Sequence, residues 1–188
     1  MKKIIKAFII GMLLSLMVTA SASAAKPSTV TVKRAYASYV KRYLSSSRKY
    51  PYGSYTLYDI NGDGVPEMFF EYMSGVRSGH KIYTYKNKKV VPLKSVTGGC
   101  RIYYKSSKKQ ICILTSSGFA DNTYTCYKLI NNKLKKVVEY KSENHTSFDS
   151  DFLNIKFYKN GKRISKRSFI AVTNSIDKWN GIEWPHEK

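Results

Sequence analysis

The stretch Tyr-Thr-Leu-Tyr-Asp-Ile-Asn-Gly-Asp-Gly-Val-Pro-Glu-Met-Phe-Phe occupies residues 55–70 and decides the fold. Its two ends, Tyr55–Tyr58 and Met68–Phe70, are rich in aromatic and aliphatic residues and predict strands. The turn between them, Asp59–Glu67, has oxygen-bearing side chains at its first, third, fifth and ninth positions. The sequence therefore predicts two strands joined by an acidic loop.

The acidic loop has the chemistry of a calcium site. Calcium binds six to eight oxygen atoms, and one turn supplies several of them when alternate side chains point inward. Gly64 bends the backbone at the sixth position, which directs the carbonyl of Val65 towards the ion. The predicted ligands of a structural Ca²⁺ are Asp59, Asn61, Asp63, Val65 and Glu67. The alternatives are a metal-free Asx-Gly turn and, less favoured, magnesium, which demands tight octahedral geometry.

The distribution of acidic residues favours a bound cation at this loop. Asp59, Asp63, Glu67 and Glu71 are four of the 12 acidic residues in the chain, which also has 33 basic residues. Carboxylates placed this close together repel one another unless a cation lies between them.

The loop resembles the calcium loops of FG-GAP and VCBS-type extracellular repeats, in which Asp-x-Asn-x-Asp-Gly-x-Pro-Asp lies between two strands. Here Glu67 replaces the last Asp, and Glu can also bind calcium through its oxygens. The loop is also similar to the first half of an EF-hand or dockerin loop, but Phe70 stands where an EF-hand has Glu. The resemblance implies a structural calcium site. The whole chain looks like small exported proteins of Gram-positive bacteria that carry one such loop.

The rest of the chain predicts an α+β fold, an antiparallel β-meander sheet with an N-terminal and a C-terminal helix. A stripe of apolar residues from Val32 to Leu44 predicts the first helix. Ser165 is the expected N-cap of the second, whose apolar face is Phe169, Val172, Ile176 and Trp179 and which Gly181 ends. Alternating residues predict strands near 54–60, 67–73, 80–86, 89–95, 100–105, 110–115, 123–130, 133–140 and 152–158. Tight hairpin turns are expected at Asn87-Lys88, Asn131-Asn132 and Asn160-Gly161.

The three cysteines allow one disulfide bond. Cys112 and Cys126 are equally distant in sequence from Phe119, the centre of an expected loop, so paired flanking strands would bring their sulfur atoms together. A Cys112–Cys126 bond is therefore predicted, which leaves Cys100 as a free thiol. The alternative is three buried free thiols that pack as small apolar residues.

The first 24 residues have the features of a secretory signal peptide. Lys2, Lys3 and Lys6 precede an apolar run, and Ala22-Ser23-Ala24 has the form that signal peptidase recognises. We expect cleavage after Ala24 and one mature domain over residues 25–188, with no later segment apolar enough to span a membrane. An uncleaved anchor helix is the alternative, although the apolar run is short for one.

The net charge of the chain is the basis for predicting its function. The predicted signal peptide holds three of the 33 basic residues and none of the 12 acidic ones, so the mature chain has a formal charge of +18. Such a surface attracts polyanions, or its lysines simply keep exposed sheet edges soluble. We expect an exported, non-enzymatic calcium-binding domain that associates with anionic cell-wall polymers and has no specific nucleic-acid partner. The alternatives are a calcium-dependent secreted hydrolase such as a nuclease, with Glu71 and Arg77 as the nearest candidates, and a secreted effector.

Overall fold

The computed structural model describes residues 26–46, 52–74, 77–117, 121–144 and 154–182. The predicted signal peptide, its cleavage site and the loop centre Phe119 lie outside these ranges. The side chains of Ser74 and Arg77 are also outside the description.

The two helices form where the apolar stripes predicted them, within a few residues. Helix α1 spans Thr29–Ser46 and buries Val32, Tyr36 and Val40, which recur every four residues along one face. Helix α2 spans Lys166–Asp177, and the hydroxyl of Ser165 accepts a hydrogen bond from the backbone N–H of Ser168, which confirms the predicted N-cap. The expected end at Gly181 is wrong, because α2 ends at Asp177 and the chain then enters a short strand.

Eleven strands in the described ranges build two antiparallel sheets. The first, sheet A, has the order β1-β2-β3-β4, and the second, sheet B, has the order β10-β9-β8-β7-β6-β5-β11. The strands are β1 (Tyr52–Tyr58), β2 (Glu67–Ser74), β3 (Arg77–Lys86), β4 (Lys89–Thr97), β5 (Cys100–Lys105), β6 (Gln110–Ser116), β7 (Asn122–Ile130), β8 (Lys133–Asn144), β9 (Ile155–Lys159), β10 (Lys162–Ile164) and β11 (Asn180–Gly181). A short 3₁₀ turn, Ser106–Lys108, joins β5 to β6.

The hydrophobic core forms three successive layers between four layers of secondary structure. One face of sheet A packs against α1 through residues such as Met68 and Phe70. Its other face packs against sheet B through residues such as Phe69 and Ile111. The outer face of sheet B packs against α2 through residues such as Phe169. The order of layers is therefore α1, sheet A, sheet B, α2.

This architecture confirms the α+β class and the antiparallel pairing, but it divides the expected single meander into two sheets. The division falls between β4 and β5, where Gly98 has a φ of +81°. A positive φ is readily available to glycine and allows the chain to turn sharply out of sheet A. The period-two pattern continues on both sides of this point, so it contains no signal for the change of sheet.

The three asparagine turns adopt the backbone conformation that the sequence predicts. Both central residues have a positive φ at Asn87-Lys88, at Asn131-Asn132 and at Asn160-Gly161. Such turns match the twist of the strands that they join. They fix the hairpins β3–β4, β7–β8 and β9–β10.

Candidate metal centre

The acidic loop joins β1 to β2, because β1 ends at Tyr58 and β2 begins at Glu67. The carboxylate of Asp59 organises the turn. Its Oδ1 accepts hydrogen bonds from the backbone N–H groups of Gly62 (2.7 Å) and Asp63 (3.1 Å), and its Oδ2 accepts one from Gly64 (2.6 Å). The first predicted ligand therefore lies at the centre of the turn, facing the backbone of the fourth to sixth positions.

The predicted ligands Asn61 and Asp63 lie beside each other on the same turn. The amide nitrogen of Asn61 donates a hydrogen bond of 2.7 Å to Oδ2 of Asp63. The backbone N–H of Asp63 donates to Oδ1 of Asn61, and that of Val65 donates to Oδ1 of Asp63. Asp63 is exposed, so its carboxylate keeps access to solvent and to ions.

Glu67, the last predicted ligand, is buried instead of lying at the surface of the loop. Only 1% of this residue is exposed. Its two oxygens accept hydrogen bonds from the backbone N–H of Ile60 and from the hydroxyl of Thr84, each 3.1 Å long. Burial, with repulsion from the carboxylates of Asp63 and Asp59, raises the pKa of Glu67 to about 8, although both hydrogen bonds lower it.

Two tyrosines hold the loop to the rest of the molecule. The hydroxyl of Tyr36 on α1 donates a hydrogen bond of 3.0 Å to the carbonyl of Pro66. The hydroxyl of Tyr104 on β5 donates one of 3.0 Å to the carbonyl of Asp59. The loop is therefore attached to both α1 and sheet B. The supporting roles of Tyr36, Tyr104 and Thr84 are not visible in the sequence, because these residues lie far from the loop along the chain and carry no local motif.

Lysine side chains lie directly against the acidic loop. Gly62 and Gly64 have φ values of +73° and +75°, a conformation that glycine adopts without strain. A Cβ atom at Gly62 or Gly64 would meet the ammonium group of Lys109 or Lys26, each the movable end of a flexible side chain. Two positive charges therefore lie against the backbone of the loop.

The donor set of the loop fits a hard divalent cation. Carboxylate and amide oxygens of Asp59, Asn61 and Asp63 lie on one short turn, and a carboxylate keeps lone pairs for a metal when it also accepts backbone hydrogen bonds. In the part of the chain that the structure describes, no three His, Cys, Asp or Glu side chains come together as a metal-binding group. The carboxylate oxygens of Glu67 point at Ile60 and Thr84, so Asp59 and Asp63 are the two acidic side chains left for an ion. Asn61 and the Val65 carbonyl supply the other oxygen atoms of the predicted ligand set.

The structure brings the sulfur atoms of Cys112 and Cys126 together. These residues are direct partners in the pairing of β6 with β7, and their sulfur atoms are joined. The pair lies in the core layer between sheet B and α2. Cys100 is a free thiol, and burial, with the nearby carboxylate of Glu71, raises its pKa to about 12.

Glu71 and Arg77, the candidates for a hydrolytic site, lie away from the acidic loop. Glu71 is four residues beyond Glu67 on β2, which corresponds to about 13 Å along a strand. Arg77 pairs with Ser74, a further three residues along, at the opposite end of sheet A. Glu71 instead lies beside the buried His80, with Oε1 4.0 Å from Nε2. The structure therefore does not bring Glu71 and Arg77 together with the candidate metal ligands.

Comparison with family models, with curated proteins and with solved structures finds no match for this chain. In the described part of the chain, no helix combines the length and the apolar character needed to cross a bilayer.

Proposed function

We propose that this chain is an exported, non-enzymatic domain that calcium stabilises at the loop Asp59–Glu67 and that associates with anionic polymers of the cell envelope. The observation that carries the proposal is an acidic loop with a buried carboxylate, placed in a chain of strongly positive charge. The calcium part and the polymer part of the proposal rest on different features of the molecule.

The calcium part rests on Glu67. A buried carboxylate is costly to hold in its charged form unless an opposite charge or several hydrogen bonds compensate it. Glu67 has two neutral donors, and its charged neighbours Asp59 and Asp63 repel it. A divalent cation on the loop would offset this repulsion for all three carboxylates. A bound Ca²⁺ would take its ligands from Asp59, Asn61, Asp63 and the Val65 carbonyl. The buried carboxylate of Glu67 would add negative charge close to the ion.

The polymer part rests on how the lysines are arranged. Three pairs of lysines are direct cross-strand neighbours: Lys86 with Lys89, Lys128 with Lys135 and Lys159 with Lys162. Like charges directly opposite each other on a sheet are destabilising. All six side chains are exposed, so a polyanion can reach each pair and relieve this repulsion.

Binding to purified bacterial cell walls tests the polymer part. We expect the protein to bind intact walls, to bind less to walls stripped of their anionic polymers, and to dissociate as NaCl rises from about 0.05 M to about 0.5 M, because salt screens exposed charges. The double variant Lys128→Gln, Lys135→Gln should bind more weakly without losing stability. Binding that is indifferent to both salt and stripping would refute this part.

A calcium-dependent hydrolase is the second candidate, and the Glu71–His80 pair is the observation that favours it. A carboxylate beside an imidazole is a common acid–base arrangement. However, Glu71 lies four residues along β2 from Glu67, the last residue of the loop. Cys100 is also a poor candidate for a catalytic nucleophile, because its raised pKa keeps the thiol protonated. If Asp63→Ala abolishes turnover of nucleic acid or another polymer while the melting temperature is unchanged, the hydrolase is correct and the non-enzymatic proposal is wrong.

A further inference from the structure

A cleft of about 600 Å³ opens beside the acidic loop, and two of the proposed calcium ligands, Asp63 and Val65, line it. Its walls come from four parts of the chain that are distant in sequence: the segment before and at the start of α1, the acidic loop, the end of β3 with the β3–β4 turn, and the β7–β8 turn. Pro27 and Val65 give it apolar surface, and Asp63 lies on its rim. The cleft is therefore a concave site that combines apolar surface with polar and charged side chains, and concave sites are where proteins bind small molecules.

The polar groups of the cleft suit a sugar that carries an acid group. Asn87 and Asn132 supply amide groups, which can both donate and accept hydrogen bonds with hydroxyl groups. Lys86 and Lys88 supply positive charge on the same side. Pro27 and the side of Val65 that lines the cleft offer apolar surface for the less polar face of a sugar ring.

Lys88 occupies an unfavourable backbone conformation at this cleft. Its φ is +59°, at the second central position of a tight hairpin turn where glycine is strongly preferred. Among the described residues, the others with positive φ are asparagines, glycines and Lys109, and Lys109 also contacts the acidic loop. A strained residue that a better turn former could replace is a reason to look for a function. The position of Lys88 supplies one, because the turn places this residue in the lining of the cleft.

We propose that this cleft binds one unit of an anionic envelope polymer, a sugar or sugar alcohol bearing a carboxylate or a phosphate, and that Lys88 pairs with the acid group. The inference rests on the proposed function, since it names the ligand class of that association and a single site for it. Asp63 lines the same cleft, so calcium bound at the loop would add a second positive charge beside the ligand.

The test compares two variants that each remove one positive charge. Lys88→Gly removes the charge and relieves the strained turn, so the variant should fold and melt at a higher temperature than the wild type. Lys162→Gln removes one charge beside the Asn160-Gly161 turn and outside the cleft. Binding of a short oligogalacturonate, a short glycerol-phosphate oligomer and a neutral malto-oligosaccharide is measured by calorimetry with excess calcium.

We expect one-to-one binding of at least one acidic oligomer, a loss of about fivefold or more in Lys88→Gly, and little change in Lys162→Gln. The acidic oligomer that binds better identifies the acid group as carboxylate or phosphate. Equal losses in the two variants would overturn the cleft site and leave the general attraction to polyanions intact. The site would also be overturned if neither acidic oligomer bound, or if the neutral oligomer bound as tightly.

Discussion

Replacing Glu67 with glutamine should abolish the effect of calcium on the thermal stability of this protein. Glutamine has nearly the shape of glutamate, and its carbonyl can still accept the hydrogen bond from the N–H of Ile60. Its amide group can donate to the hydroxyl of Thr84, which now donates to Glu67. The variant therefore keeps the contacts of the buried side chain and removes its charge.

The size of the effect follows from mass action. A ligand that binds only the folded state at about 100 times its Kd stabilises that state by about 2.7 kcal/mol. For a domain of this size, each kcal/mol raises the Tm by about 2–4 °C. Wild-type protein should thus gain about 5–10 °C from calcium. Glu67→Gln should gain about 2 °C or less. In chelator at neutral pH it should melt near the wild-type temperature, because a pKa of about 8 leaves the wild-type Glu67 largely protonated and glutamine has the shape of that neutral form.

Scanning calorimetry with calcium and with chelator measures both quantities, and Glu71→Gln is the matched control. Glu71 lies on the same strand and faces the same side as Glu67, but its side chain is 40% exposed and it is distant from the loop. This control should keep the wild-type response to calcium. A wild-type Tm that calcium does not change would refute the metal site. An undiminished response in Glu67→Gln would refute the role of the buried carboxylate.

Two further predictions concern His80 and the cysteines. Burial lowers the pKa of His80 in the folded protein, although the carboxylate of Glu71 raises it. Neutral His80 therefore contributes its full stability above the unfolded-state pKa of about 6.5, and this contribution is lost as the pH falls below that value. The Tm advantage of wild type over His80→Gln should therefore shrink between about pH 7 and pH 5, and a constant or growing difference would contradict this sign. For the cysteines, alkylation of the unreduced, unfolded protein should label Cys100 alone. The double variant Cys112→Ser, Cys126→Ser should be about 3 kcal/mol less stable than the wild type, as expected when a closed loop of about 15 residues is opened. Labelling of all three thiols would show that the bond is absent.

The features that the sequence predicts well are those set by neighbouring residues. The stripe of Val32, Tyr36 and Val40 places α1 correctly because helical periodicity depends only on spacing. The asparagine turns are also correct, since asparagine tolerates a positive φ better than most residues do. In the same way, the acidic turn is visible because Asp59 contacts backbone groups only three to five residues away.

The features that the sequence does not predict depend on contacts between distant segments. An alternating pattern places a side chain on one face of a strand, but it does not say whether that face meets a helix or another sheet. The second sheet therefore stays hidden in the pattern, as does β11, whereas β10 follows from the hairpin turn predicted at Asn160-Gly161. The hydrogen bond from Thr84 to Glu67 arises only once β2 pairs with β3, and the one from Tyr104 to Asp59 arises only once the two sheets pack together. The partners are 17 and 45 residues apart in sequence.

The position of the acidic loop explains why an ion there would act on the whole fold. The loop is joined to α1 through Tyr36, to β3 through Thr84 and to sheet B through Tyr104. Ile60, within the loop, is buried in the core layer between the two sheets. Repulsion among Asp59, Asp63 and Glu67 would strain these attachments together, since they converge on the same nine residues. A cation that relieves the repulsion would therefore stabilise the packing of α1, sheet A and sheet B as one unit, and we expect a single cooperative transition that shifts with calcium instead of a local loop transition.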